Sequence, residues 1–316
     1  MIELHLHLEG AMPPEFCRRL AAEKHVDVSG IFDERGGYAF RGFDHFLKVY
    51  EAATSVLRGP EDYARLTAAV LEELEGQGVR YAEVFVSPDF CGAPDRSAWA
   101  EHVEAIGEAI AASPVEMRLI ATCIRHFGPE RAKDAARCAA ETAGGLLTGW
   151  GMGGAETVGR AGDYAWAFDC AREAGLRLTS HAGEWGGPES VRETLDDLRV
   201  ERVGHGVRAV EDPALVERLA EDGIVLEICP GSNLALGIYP APSAHPIATL
   251  RDAGVTVTVS TDDPPFFHTD MANEREILEE GFGWGDEDWA ALQRAALDAA
   301  FCDEDTKERL RAEWTT

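Results

Sequence analysis

Apolar and polar positions along the chain fall into two alternating textures. Short apolar runs rich in β-branched residues recur at Ile2–His7, Val79–Ser87, Met117–Ile124, Gly145–Gly151, Leu176–His181, Arg202–His205, Ile224–Cys229 and Val255–Ser260. Between them lie stretches with helical spacing, near Pro60–Glu75, Arg96–Ala112, Pro129–Glu141, Asp163–Ala174, Pro188–Asp197, Asp212–Glu221 and His245–Ala253. Several of these open on a proline in the first turn or on an Asp or Ser cap, as helix starts prefer. Strands alternating with helices predict βα units around a parallel sheet. Eight such units in succession predict a closed (β/α)8 TIM barrel rather than an open doubly wound sheet.

Two segments fall outside this repeat. Residues 11–78 are too long for one crossover and are expected to hold extra helices near Pro14–Lys24 and Phe43–Leu57, a helical insertion or lid. Residues 272–316 are expected to form closing helices at Asn273–Phe282, Glu287–Phe301 and Glu304–Glu313. With no low-complexity linker and no repeat beyond the βα unit, residues 1–316 read as one domain.

Composition narrows the partners. The 57 acidic residues against 29 basic ones leave a net charge of −28, a surface that repels phosphate backbones and anionic lipid. Neither nucleic acid nor membrane is expected as a partner. No run of about 18 apolar residues suggests a membrane span, and no basic segment followed by an apolar run suggests a signal peptide. The seven cysteines (Cys17, Cys91, Cys123, Cys138, Cys170, Cys229, Cys302) are scattered and never form a CxxC pair. That argues against a disulfide framework or zinc-thiolate site and for a cytoplasmic location.

Chemistry concentrates where such a barrel keeps its active site, at the C-terminal ends of the strands. The first strand ends in His5 and His7, which project from one face because residues two apart in a strand point the same way. The fifth ends in His181, followed by Glu184; the sixth in Gly204-His205-Gly206; the eighth in Ser260-Thr261-Asp262-Asp263. Each alone could be a satisfied polar residue or a helix cap, but four strand ends converging over one mouth point to a metal. His5, His7, His181 and Asp262 are the expected ligands, a set suited to one Zn2+ or another divalent ion. Such an ion activates water at neutral pH, with His205 and Asp262 placed to orient that water and accept its proton. Glu184, three residues beyond a ligand, is placed to donate a proton to the substrate if burial raises its pKa.

The segments His5-Leu6-His7-Leu8-Glu9-Gly10-Ala11, His181-Ala182-Gly183-Glu184, Gly204-His205-Gly206 and Ser260-Thr261-Asp262-Asp263-Pro264, in this order, resemble the adenosine deaminase family of the metal-dependent amidohydrolases. The resemblance spans nearly the whole chain. It implies hydrolytic deamination at C6 of an aminopurine, with His5, His7, His181 and Asp262 as zinc ligands. It further implies that Glu184 protonates purine N1, His205 orients the water and Asp263 bonds N7. His7, Glu9 and Gly154 are expected to contact the substrate. The chain's four lysines all lie away from the strand ends, against a carboxylated-lysine binuclear centre. No P-C-x-x-C occurs, which sets aside the cytidine-deaminase route to the same chemistry.

Substrate identity pulls two ways. Glu9 stands where many family members carry Asp against a ribose hydroxyl, and the adenine deaminase branch often carries Glu there. The Gly187-Pro188-Glu189-Ser190 segment instead resembles adenosine deaminases, and Gly151 replaces an acid common near the purine glycine. The expectation is adenosine, and with it deoxyadenosine, deaminated to inosine; the alternative is adenine or a modified nucleoside such as aminodeoxyfutalosine. Phe43, Phe46, Leu47, Tyr50 and Val56 are candidate lid residues, with Trp185 and Pro265-Phe266-Phe267-His268 at the mouth. A non-purine amidohydrolase and a catalytically dead binding protein are the competing classes; intact Glu184 and Asp263 oppose the first, and the complete ligand set opposes the second.

Overall fold

In the computed structural model, which describes residues 1–314, eight parallel strands follow one another around a barrel in sequence order. They are β1 (Ile2–His7), β2 (Tyr81–Val86), β3 (Glu116–Ile124), β4 (Leu147–Gly153), β5 (Arg177–Ala182), β6 (Arg202–His205), β7 (Val225–Ile228) and β8 (Thr256–Val259). Every one coincides with an expected apolar run to within about three residues. The ring closes through the ends of β8 and β1, where the His7 amide donates to Asp262 O and the Asp262 amide to His5 O, each at 3.0 Å. The bonds that close the barrel therefore hold three of the expected ligands side by side.

The extra segments also form as expected. Helices Pro14–Lys24 and Phe43–Thr54 precede the crossover helix Pro60–Gly76, and Met271–Phe282, Asp286–Ala299 and Glu304–Trp314 follow β8. The closing helices seal the barrel's N-terminal end: Ile2 and Leu4 pack with Ala296, Leu297 and Ala300, while Phe301 enters against Phe85 and Ile120. Above Phe301 the Arg202 guanidinium lies 3.6 Å from its ring. Arg202 bridges Glu83 at 2.7 Å and Glu227 at 2.5 Å, all three fully buried. A buried ion triplet of this kind holds only because each charge is paired, and it forms the floor on which the site stands. Two short helices, Pro230–Ala235 and Pro264–Phe267, lack enough residues to show a period and have no counterpart in the sequence reading. No helix among the described residues is long and apolar enough to cross a membrane.

Candidate active site

The strand ends deliver their side chains to one cavity. It is lined by His7, Glu9, Gly154, His181, Glu184, His205, Asp262 and Asp263, with walls from Phe43, Phe46, Tyr50, Phe85, Leu236 and Phe267. His5 lies directly behind, fully buried. All nine expected site residues therefore meet at one place.

The His5, His7 and His181 Nε2 atoms and Asp262 Oδ1 face a common point. His181 Nε2 is 3.1 Å from His5 Nε2 and 3.2 Å from His7 Nε2. Asp262 Oδ1 is 3.5 Å from His5 Nε2 and 3.3 Å from His7 Nε2. Ligands on a tetrahedral ion with bonds of about 2.0–2.1 Å stand about 3.3 Å apart, so these spacings fit a divalent metal. Hydrogen bonding behind the rings points the same way. His181 Nδ1 donates to Met152 O at 2.9 Å and His5 Nδ1 bonds Glu227 Oε2 at 2.7 Å. Each ring thereby turns its Nε2 lone pair inward, the arrangement that second-sphere partners impose on metal-binding histidines. Asp262 Oδ2 accepts from Ser232 Oγ at 2.7 Å, which leaves Oδ1 for the ion.

The electrostatics favour positive charge at that point. Asp262 is held well below the usual carboxylate range: burial opposes its ionisation, but the His5 and His7 hydrogen bonds and the nearby His205 outweigh it. Burial pulls the His5 pKa down, yet Asp262 and Glu227 push it up to about 9, so a proton collects where a metal would bind and must leave for one to enter. His7 and His181 are pushed down, chiefly by burial, and stay neutral as ligands must.

His205 is lowered to about 4, mainly by burial, and is a neutral base. Its Nε2 stands 3.9 Å from Asp262 Oδ2 and its Nδ1 3.8 Å from Glu184 Oε1. His205 and Asp262 are non-glycine residues at φ +61° and +67°, strained conformations of the kind that cluster at functional sites. Glu184 is raised well above its ordinary value by burial, then by the negative charges of Asp262 and Glu156, so it holds its proton. Asp263 is raised in the same way, by burial and then by Asp262, Glu184 and Glu9, and among the described residues its buried Oδ1 has no hydrogen-bond partner. Gly10 makes room for it: a Cβ there would come 1.6 Å from Asp263 Oδ1. Gly154, at φ +93°, is likewise required, since a Cβ would meet His126 Nδ1 at 2.8 Å.

Glu9 is 2% exposed, accepts from Tyr63 Oη at 3.0 Å and is pushed up to about 7, mainly by burial. Of the expected lid, Phe43, Phe46, Leu47 and Tyr50 line the cavity, whereas Val56 is fully buried in the core and does not. Trp185 packs on Phe43 outside the lining, at 4.9 Å between ring centroids. His268 lies against Gly37, away from the ligands.

Sequence reasoning missed Glu227, Ser232, Asn233 and Glu156. Asn233 Oδ1 accepts from His245 Nε2 at 3.1 Å, which turns its Nδ2 toward Glu184 and His205, each at 3.5 Å. Ser232 and Asn233 sit just past β7, and Glu227 lies within it; the strand-end rule applied to β7 would have found all three.

The whole chain, residues 1–316, matches the family model described as "Adenosine deaminase". It is 49% identical over 315 residues to an adenine deaminase of Rhizobium leguminosarum bv. trifolii (strain WSM2304), covering 98% of this chain and 97% of that one. Among solved structures, an adenine deaminase from Arthrobacter aurescens is 29% identical with a TM-score of 0.89, covering 99% of this chain and 98% of that one. An amidohydrolase from Burkholderia ambifaria with bound Zn is 26% identical with a TM-score of 0.85, covering 99% and 89%.

Proposed function

The chain belongs to the adenosine deaminase family and is a hydrolase of an aminopurine C–N bond, and from that premise we propose that it is an adenine deaminase, converting adenine and water to hypoxanthine and ammonia. The expectation of adenosine gives way to its alternative, because the relatives sharing nearly half of the sequence carry the name adenine deaminase. The observation that carries the reading is Glu9. A free base presents an N9–H donor where a nucleoside presents a ribose carbon, and a buried carboxyl braced by Tyr63 has an acceptor to offer that donor. The cavity lining also contains Glu9, Glu51, Glu184, Asp262 and Asp263 but no lysine or arginine, which disfavours a phosphorylated nucleotide.

His5, His7, His181 and Asp262 would hold the ion. We assign it as one Zn2+, because an N3O set suits zinc and the Burkholderia amidohydrolase is described with it bound. An ion held there would lower the pKa of a water molecule toward about 7 and so supply a hydroxide nucleophile near neutral pH. His205, neutral and beside Asp262, would take the proton from the attacking water as it adds to C6. Glu184 gives its proton to N1, so the ring nitrogen gains N–H as C6 becomes tetrahedral. Asp263, protonated and lacking a partner, donates to N7. The proton taken up by His205 passes to the exocyclic amine, the C6–N bond breaks and ammonia departs, while the new C6 hydroxyl gives up its proton to the Glu184 carboxylate as it becomes the carbonyl. His7 and Gly154 lie against the ring, where a side chain at 154 would intrude.

The deciding experiment compares catalytic efficiencies of the zinc-loaded protein on adenine, adenosine and deoxyadenosine. A site built to bond a substrate N–H rejects an analogue lacking it by about 10⁴-fold. Adenine should lead by that order, and Glu9→Ala should erode the lead. Equal or better turnover of adenosine would overturn the assignment.

A further inference from the structure

Glu156 is 5% exposed, and none of the roles above falls to it. Five donors converge on its carboxylate. Oε1 accepts from the Gly183 amide and the Ser190 hydroxyl, each at 2.5 Å. Oε2 accepts from the amides of Glu184 at 3.0 Å, Trp185 at 2.7 Å and Gly186 at 2.9 Å. Four consecutive N–H groups turned on one anion form a nest. Two glycines permit it: Gly183 adopts φ +71°, and at Gly186 a Cβ would come 2.5 Å from Glu156 Oε1. Among the described residues Glu156 has no ion pair, so N–H dipoles and one hydroxyl hold its charge. Burial opposes ionisation, but the Ser190, Gly186, Gly183 and Trp185 hydrogen bonds keep its pKa below the ordinary value. From the other side, Arg208 Nη1 donates to Trp185 O at 2.5 Å and steadies the same loop.

The clamped loop is the one that carries Glu184, and Glu156 itself follows Gly154 by two residues. One carboxylate thus ties the end of β4, where the substrate wall begins, to the backbone of the proton donor. We propose that Glu156 is the positioning residue of the deamination: by gripping the amides of residues 183–186 it sets where the Glu184 carboxyl stands relative to purine N1. This rests on the reading of Glu184 as proton donor. The negative charge of Glu156 also favours the protonated form of Glu184, which supports the same assignment.

The test is a double-mutant cycle on the zinc-loaded enzyme with Glu156→Gln, Glu184→Gln and the pair. A misplacement of about 1 Å costs on the order of 10²-fold in rate, so Glu156→Gln should lower kcat on adenine by about that factor. KM should change less than about threefold, and metal content should be retained. In the Glu184→Gln background the same change should cost little more, because its effect passes through a group already disabled. Losses that multiply would overturn the proposal while leaving the proton donor intact; full activity of Glu184→Gln would instead overturn the donor reading itself. Should Glu156→Gln not fold, Ser190→Ala removes one donor of the five and serves the same cycle, with a loss in kcat of about tenfold or less expected. Here too, equal losses with and without Glu184 would overturn the proposal.

Discussion

Replacing Glu227 with glutamine separates what this buried residue does for the metal from what it does for the fold. Its carboxylate is met by His5 Nδ1 at 2.7 Å, Thr179 Oγ1 at 3.0 Å and Arg202 Nε at 2.5 Å, and its pKa is lowered against the pull of burial by Arg202 first and then by His5. Glutamine keeps one acceptor but loses the charge. On the metal side, the carboxylate fixes the His5 tautomer and makes Nε2 more basic, and losing such a partner costs about 10–100-fold in affinity, or about 1.4–2.7 kcal/mol. On the fold side, Arg202 keeps only Glu83 as a buried counter-charge. Breaking a buried pair costs about 3–5 kcal/mol, and the retained amide places this variant near the lower end. The two losses differ in their dependence on the ion. Urea unfolding of the metal-free protein should show the fold term alone. At fixed free zinc the loaded protein should lose the fold term plus the affinity term, since binding stabilises by RT ln(1 + [Zn]/Kd). Competitive titration against a chromogenic chelator gives Kd directly. A variant less stable without metal yet binding zinc within twofold of wild type would refute the reasoning and leave Glu227 as Arg202's partner only.

Glu184→Gln should retain zinc and lose about 10²–10⁴-fold in turnover, the range for a general acid, measured as the change in adenine absorbance with metal content assayed in parallel; wild-type turnover would remove Glu184 from the mechanism. Glu274, fully buried, is pushed up to about 8 by burial while hydrogen bonds from Thr269 and Gly231 work the other way. With the folded pKa above the unfolded value of 4.5, the stability it contributes is complete below that pH and is lost as pH rises to about 8. Relative to Glu274→Gln, whose amide oxygen accepts from the Gly231 N–H and whose NH2 donates to Thr269 Oγ1, the wild type should therefore lose up to about 1.4 kcal/mol per pH unit across this window in urea unfolding. Parallel pH profiles for the two proteins would refute the assignment.

Local pattern was enough for the architecture and for the convergence of the candidate site residues. A strand's two-residue period puts His5 and His7 on one face, and eight βα units place every strand end at one mouth, so residues at the ends of β1, β5, β6 and β8 had to converge. The eight strands and the long helices were legible because their periods extend over enough residues to be read. The helix Pro230–Ala235 is too short to carry such a signal, and with it Ser232 and Asn233 passed unseen.

Tertiary structure decided what the strand ends could not: partners, protonation and fit. Glu156 grips amides 27 to 30 residues away, and backbone N–H groups leave no mark in a sequence. Glu184, Asp263 and Glu9 are carboxyls like the chain's many exposed ones, and it is burial that pushes all three up, with neighbouring negative charge adding to it at Glu184 and Asp263. Glu9 shows the division most sharply. Its identity was visible beside the histidines, but its acceptor role depends on Tyr63, 54 residues later, and on walls drawn from the helical insertion. Periodicity acts over neighbouring residues and so can be read along the chain; desolvation and hydrogen bonding act over a few ångströms in space, and only folding brings those groups together.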